Sequence, residues 1–157
     1  MSATQSVTHR LTLLRHAQAA HARQGQHDFE RPLDTTGQAQ LRERAPAFAT
    51  ASAAFAVDRC VHSSAIRTTT TALAFAHACG LAKDAIQAEP ALYEIDLSAL
   101  LAFLRRTPET VQHLLLVGHN PTLSELAWQL SAEASPGGLN PCDHLTVTFT
   151  GPWSELR

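Results

Sequence analysis

Short apolar runs alternate with longer stretches of helical spacing along this chain, and that alternation leaves few folds open. Leu11 to Leu14 is an apolar run of strand length, followed by a polar loop from Gln18 to Glu30. Thr35 and Gln38 have capping-box spacing, and Leu41, Ala45 and Phe48 behind them predict a helix that Pro46 should kink or interrupt. Val57 to Ser63 is the next strand. Arg67 to Cys79 follows as a helix, with Ala72, Phe75, Ala76 and Cys79 on one face and Gly80 as its stop. Ile86 to Ala88 is a short strand, and Leu97, Leu100, Leu101 and Leu104 form a helical stripe. Thr107-Pro108-Glu109 is expected to start one turn, and Leu114 to Val117 is a strongly apolar strand. Asn120-Pro121 should cap and begin a helix carrying Leu123, Leu126, Ala127 and Leu130. After a Pro- and Gly-rich loop, Leu145 to Phe149 alternates apolar residues with Thr, the pattern of a half-exposed strand near an edge. Alternation of this kind predicts an α/β fold with a mostly parallel sheet covered on both faces.

The bulk properties exclude several functions. A chain of 157 residues is expected to form one domain over 1–157. Its net charge of -2 argues against a nucleic-acid partner, whose phosphates call for a basic surface. No apolar run approaches a membrane span, and Met1 to Thr8 lacks the order of a signal peptide. Cys60, Cys79 and Cys142 are odd in number and far apart, so neither a disulfide framework nor a cysteine zinc site is expected, and a cytoplasmic location is the default. Nine His against a single Lys raises the question of how many are chemical.

The strand ends answer it. In α/β sheets ligands bind beyond the carboxyl ends of the strands. The first strand ends in Arg15-His16, the second runs through Ser63 to Arg67 at a helix start, and the penultimate one ends in Gly118-His119-Asn120. Arg binds phosphate oxygens bidentately and stays charged, while helix starts add free N–H groups. The set reads as a cradle for a tetrahedral oxyanion. A neutral His beside it can attack phosphorus in line, form a phosphohistidine and release it to water, with arginine charge in place of a metal.

These residues resemble a family. Leu13-Leu-Arg-His-Ala17, the run from Ser63 to Ala72 and Val117-Gly-His-Asn-Pro121 look like the histidine phosphatase superfamily, also called phosphoglycerate-mutase-like. Arg31 to Gly37 and Leu92-Tyr-Glu94 resemble its short SixA-type phosphohistidine phosphatase branch. The resemblance implies a three-layer αβα sandwich with an antiparallel C-terminal edge strand. It implies His16 as nucleophile, with Arg15, Arg67 and His119 completing the phosphate pocket. It also places Glu94 where many members hold a proton donor, and Asn120 and Ser63 beside the pocket. Cofactors are not expected. Ala17 stands where the common motif has Gly, and Thr68 where Ala is usual.

Other readings compete. Arg67 as a plain first-turn residue is disfavoured by the helix dipole, which favours an anion there. Glu94 in a loop is an ordinary surface residue unless the site claims it, and Asp96 suits a helix start. Arg31 either lines the mouth or leads into the next helix, and His27 is the remaining His nearest the mouth. His9, His21, His62, His77, His113 and His144 share no metal-ligand spacing and read as surface or structural. The expected substrate is a phosphohistidine on a protein or a small phosphate ester. A mutase, a non-catalytic phosphate-binding module and a metallophosphatase fit less well. They would need a closed pocket, a dispensable nucleophile and more acidic ligands, respectively.

Overall fold

Five strands form one sheet in the order β3-β2-β4-β1-β5 in this computed structural model, which describes residues 6–157. They are β1 (Thr8–Arg15), β2 (Arg59–His62), β3 (Ile86–Ala88), β4 (His113–Gly118) and β5 (His144–Thr150). The paired strands among the first four are parallel, and β5 runs antiparallel to β1. Between them lie α1 (Thr35–Ala51), α2 (Ile66–Ala78), α3 (Leu97–Arg105) and α4 (Thr122–Leu130). The expected alternation and the antiparallel edge strand are both present. The signal-peptide reading of Met1 to Thr8 lies mostly outside the described residues. Among the described residues no helix is long and apolar enough to cross a membrane.

Strand pleating divides the core into two. Leu11, Leu13, Leu114 and Leu116 face α3 and α4, where Leu100, Leu104, Leu123 and Leu126 pack. Leu14, Cys60, Leu115 and Val117 face α1 and α2, against Leu41, Phe48, Ala72 and Phe75. Every residue of β4 is buried, which is why this strand reads as a continuous apolar run.

Of four local readings, three shift and the turn after α3 holds. Asp34, not Thr35, caps α1, its carboxylate accepting from the Gly37 N–H at 2.7 Å. Pro46 lies inside α1 without ending it; it sits on the exposed face, where the carbonyl it frees meets water. Thr107 and Pro108 lead into the expected turn, which the Val111 N–H closes onto the Pro108 carbonyl at 3.0 Å. Helix α4 begins at Thr122, with Pro121 as its cap residue, although Asn120 Oδ1 still accepts from the Ser124 N–H.

Helix α1 also anchors the loop that follows His16. The Asp34 N–H donates to the Gln18 carbonyl at 3.0 Å, and the Gln18 N–H donates to Gln40 Oε1 at 2.9 Å. Gly37 makes this approach possible, because a Cβ there would collide with the Gln18 carbonyl. Ala ordinarily gains about 1 kcal/mol over Gly inside a helix. Gly37→Ala is expected to destabilise the protein by about 1–3 kcal/mol instead, through overpacking against backbone. Urea unfolding measures the sign, and a stabilised variant would contradict this anchoring.

Candidate active site

Strands β2, β4 and β1 lie side by side and parallel, so the residues just past their carboxyl ends fall in a row. The ladder even continues beyond the strands. The His16 N–H donates to the Gly118 carbonyl at 3.2 Å, and the Ser63 N–H to the Val117 carbonyl at 3.1 Å. A cleft of about 280 Å³ opens above this row, and its walls include Arg15, His16, Arg31, Arg67, His119 and Asn120. Five residues singled out from strand ends thus meet, and Arg31 joins them on the wall. A larger apolar groove of about 610 Å³ lies elsewhere, between α1 and β5, and holds none of these groups.

The hydrogen bonds set which nitrogen does what. His16 Nδ1 lies 2.7 Å from the Ala17 carbonyl, which only accepts, so Nδ1 carries the proton and Nε2 the lone pair. The Ala17 N–H donates to Thr71 Oγ1, and Thr71 donates to the Arg67 carbonyl, tying the loop to α2. Cys142 is the one non-glycine residue with positive φ among the described residues, so Ala17 needs no glycine-like backbone. His119 Nε2 lies 2.8 Å from the buried hydroxyl of Ser63, and the His16 and His119 rings are 5.4 Å apart. Thr68 is buried and its hydroxyl donates to the Ser63 carbonyl at 2.8 Å, which stiffens the turn between β2 and α2. Arg15 Nη1 and Asn120 Nδ2 both donate to the Leu139 carbonyl, at 3.0 and 2.8 Å.

Three buried nitrogens of this set have no partner: Arg15 Nε, Arg67 Nε and His119 Nδ1. An unpaired buried donor costs about 1–3 kcal/mol, so three around one cleft call for a ligand with several acceptor oxygens. The fourth such atom among the described residues, His9 Nε2, belongs to another strand end, 3.5 Å from Glu109.

Burial and positive neighbours keep both imidazoles neutral. Burial, with Arg67, Arg15 and Arg31 nearby, pushes His16 down to about 4 against the raising effect of its bond to Ala17. Burial pushes His119 down to about 3, with Arg67 the next cause. The site therefore offers a neutral nitrogen nucleophile and a fixed guanidinium charge.

Two residues of the site escaped the sequence reading. Asp28, one residue past His27, accepts from both terminal nitrogens of Arg67: Nη1 to its carbonyl at 2.7 Å and Nη2 to Oδ2 at 2.9 Å. Its carboxylate also accepts from Arg31 Nη1 at 2.9 Å and from the Tyr93 hydroxyl at 2.6 Å. The Tyr93 hydroxyl first, then Arg31, hold Asp28 well below the usual carboxylate range. The ring of Tyr93 stands edge-on to His119 at 5.5 Å. The available signal was Arg67 itself, since an Arg in a first helical turn needs an anion. His27 is exposed and makes no side-chain cap.

Glu94 is exposed and does not line the His16 cleft. It lines an adjoining cavity of about 230 Å³ with Tyr93, His119 and Asn120, the last two of which border both spaces. His62 and His113 are buried and bonded to main-chain carbonyls, as structural residues are.

Known proteins resemble this arrangement. The sequence model of the histidine phosphatase superfamily (branch 1) matches residues 11–113. No curated protein matches the chain in sequence. A structure assigned as the phosphohistidine phosphatase SixA of Agrobacterium tumefaciens is 30% identical, with a TM-score of 0.78 over 88% of this chain and 90% of that one. Its counterpart from Nakamurella multipartitia is 27% identical, with a TM-score of 0.72 over 95% and 89%. The protein histidine phosphatase SixA complexed with tungstate shares the fold at 20% identity, with a TM-score of 0.74 over 90% and 94%. With its strand-end cleft and its sequence pattern in agreement, the chain belongs to the histidine phosphatase superfamily and is a phosphatase.

Proposed function

We propose that this phosphatase removes phosphoryl groups from phosphohistidine on a protein, without a metal ion, by way of a phosphoryl group carried on His16. The observation that carries the reading is that Arg15, Arg67 and His119, each with one unpartnered nitrogen, line the same cleft as a His16 whose Nδ1 is fixed by Ala17. Tungstate, a tetrahedral oxyanion, is bound in a SixA structure of the same fold, and the same chemistry suits this cleft. The lone pair of Nε2 attacks phosphorus while the bond to the leaving nitrogen breaks. The guanidinium groups of Arg15 and Arg67 and the Nδ1–H of His119 hold the equatorial oxygens. In this mechanism Ser63 is the donor to His119 Nε2, 2.8 Å away, and the proton of His119 sits on Nδ1. Water then attacks phosphorus, the bond to His16 breaks, and inorganic phosphate leaves.

The leaving group follows from the acids on offer. An alkoxide needs a proton as it departs. A phosphohistidine whose other ring nitrogen is protonated leaves as neutral imidazole and needs none. Asp28 is held ionised by three partners and cannot supply a proton. A second reading rests on Glu94: the adjoining cavity would take the body of a small ester, with Glu94 as proton donor.

His16→Ala is expected to lower turnover of a phosphohistidine peptide by at least about a thousandfold. Quenched wild-type protein should carry an acid-labile, base-stable phosphoryl group that the variant lacks. Full turnover in the variant, or loss of wild-type turnover in EDTA, would count against the mechanism.

Glu94→Gln separates the two substrates. Phosphohistidine turnover should change by no more than about twofold, whereas an ester reaction relying on this acid should fall by roughly 10²–10⁴. A large loss on the phosphohistidine peptide would favour the ester reading.

The pH dependence has a definite sign. The nucleophile is the neutral form, so activity is retained above the folded pKa of His16 and lost as pH falls through about 4. NMR titration of the ligand-free protein should find His16 still neutral at its ordinary midpoint of about 6.5. A measured midpoint near that ordinary value would show that burial and arginine charge do not control it.

A further inference from the structure

Strand β5 borders the sheet, and its outer edge is bare. Residues of an edge strand turn their backbone groups alternately toward the neighbouring strand and away from it. Those turned inward complete an unbroken ladder with β1 from Thr8–Thr150 to Leu14–His144. Among the described residues, no turn or loop makes a backbone bond to any residue of 144–150 on the other side. Proteins blunt such edges with Lys, Pro, bulges or very short strands. The sequence His144-Leu-Thr-Val-Thr-Phe-Thr150 has no Lys, no Pro and no break in register. The opposite border, β3, has only three residues and is protected by its shortness.

The order of side chains says what fits. About Val147 the chemistry of β5 is nearly palindromic: Thr146 and Thr148 flank it, then Leu145 and Phe149. A copy running antiparallel about Val147 sets Val147 against Val147, Thr146 against Thr148 and Leu145 against Phe149. One face of the joint becomes a continuous apolar strip, an extension of the core that Leu145 and Phe149 already border. The other face pairs hydroxyls. The grooves at the two ends of the strand carry charge, Glu133 in the one that Leu145 lines, and Glu155 and Arg157 in the one that Thr150 lines. Antiparallel pairing brings one end onto the other on the same face, so Glu133 of one copy approaches Arg157 of the second, while Arg44 stays paired with its own Asp143 at 3.2 Å. The strand alone is about 24 Å long. A stable interface needs roughly 800 Å² per partner, and the grooves at the two ends of β5 supply further surface to cover.

We propose that β5 is a dimer interface, pairing antiparallel with β5 of a second copy about a two-fold axis at Val147 and joining two sheets into one of ten strands. Sedimentation velocity over a wide concentration range should show a species of twice the chain mass. Two double variants test the register. Thr146→Lys with Thr148→Lys sets like charges across the joint and should weaken association by roughly a hundredfold or more. Thr146→Glu with Thr148→Lys sets opposite charges there and should preserve the dimer. Both lose the same Thr146 to Thr12 hydroxyl bond, so the comparison is matched for folding, and circular dichroism melts confirm it. A wild-type protein monomeric at every concentration would overturn the interface. So would a Lys/Lys variant that associates like wild type. A folded Glu/Lys variant that stays monomeric would overturn the antiparallel register.

Discussion

The guanidinium groups of Arg15 and Arg67 and the imidazoles of His16 and His119 share one cleft, with Arg31 on its wall, and the surrounding structure is arranged around that charge. Packed this closely, four cations would repel one another. Burial therefore discharges the two that can lose a proton, and His16 and His119 stay neutral. Arg15 and Arg67 cannot lose theirs. Arg67 is answered by Asp28, and Arg15 by the Leu139 carbonyl. What remains unanswered is the Nε of each arginine together with Nδ1 of His119. Donors fixed in advance need no reorganisation when charge builds on a transferring phosphoryl group. The cost is borne by the ligand-free protein, as donors left unsatisfied.

The fold supplies this arrangement from distant parts of the chain. The β2-β4-β1 row brings together three strand ends, and the segment before β5 closes the fourth side. There the Cys142 N–H donates to the carbonyls of both Arg15 and His16 at 3.1 Å, and the Arg15 N–H donates to the Asp143 carbonyl at 3.1 Å. The Leu139 carbonyl joins Arg15 to Asn120. The main chain on either side of His16 is thereby bonded to β4, α2 and the C-terminal loop, which leaves its imidazole little freedom.

Much of this was legible because it rests on period and position. Leu114 to Val117 reads as a buried strand from its apolar run, and Leu100, Leu101 and Leu104 mark α3 by spacing. Arg15, His16, Arg67, His119 and Asn120 were found because each follows or begins an element whose type the pattern reveals. Asp28 and Tyr93 were not, since each lies in a connection with no period, and their partners are far along the chain. Asp34 displaced Thr35 as the cap by a single position, since Asp and Thr both suit the role. Pro46 was tolerated because it points to solvent, a fact of orientation that local sequence does not carry.

The Asp28 carboxylate looks like an obstacle to the proposed chemistry, since it holds the arginine assigned there to the phosphoryl group. The geometry removes the conflict. A guanidinium carries five N–H groups in a planar fork. Asp28 engages Nη1 and Nη2 of Arg67 once each, and Nε is buried and free. One arginine can therefore hold Asp28 on one edge and an oxyanion on the other. Asp28 in turn shares its carboxylate with Arg31 and Tyr93, which orients the arginine before any ligand arrives. The same three bonds suppress its affinity for a proton. A carboxylate that serves as a fixed counter-charge is thereby unsuited to act as an acid, which supports the proposed preference for leaving groups that depart without one.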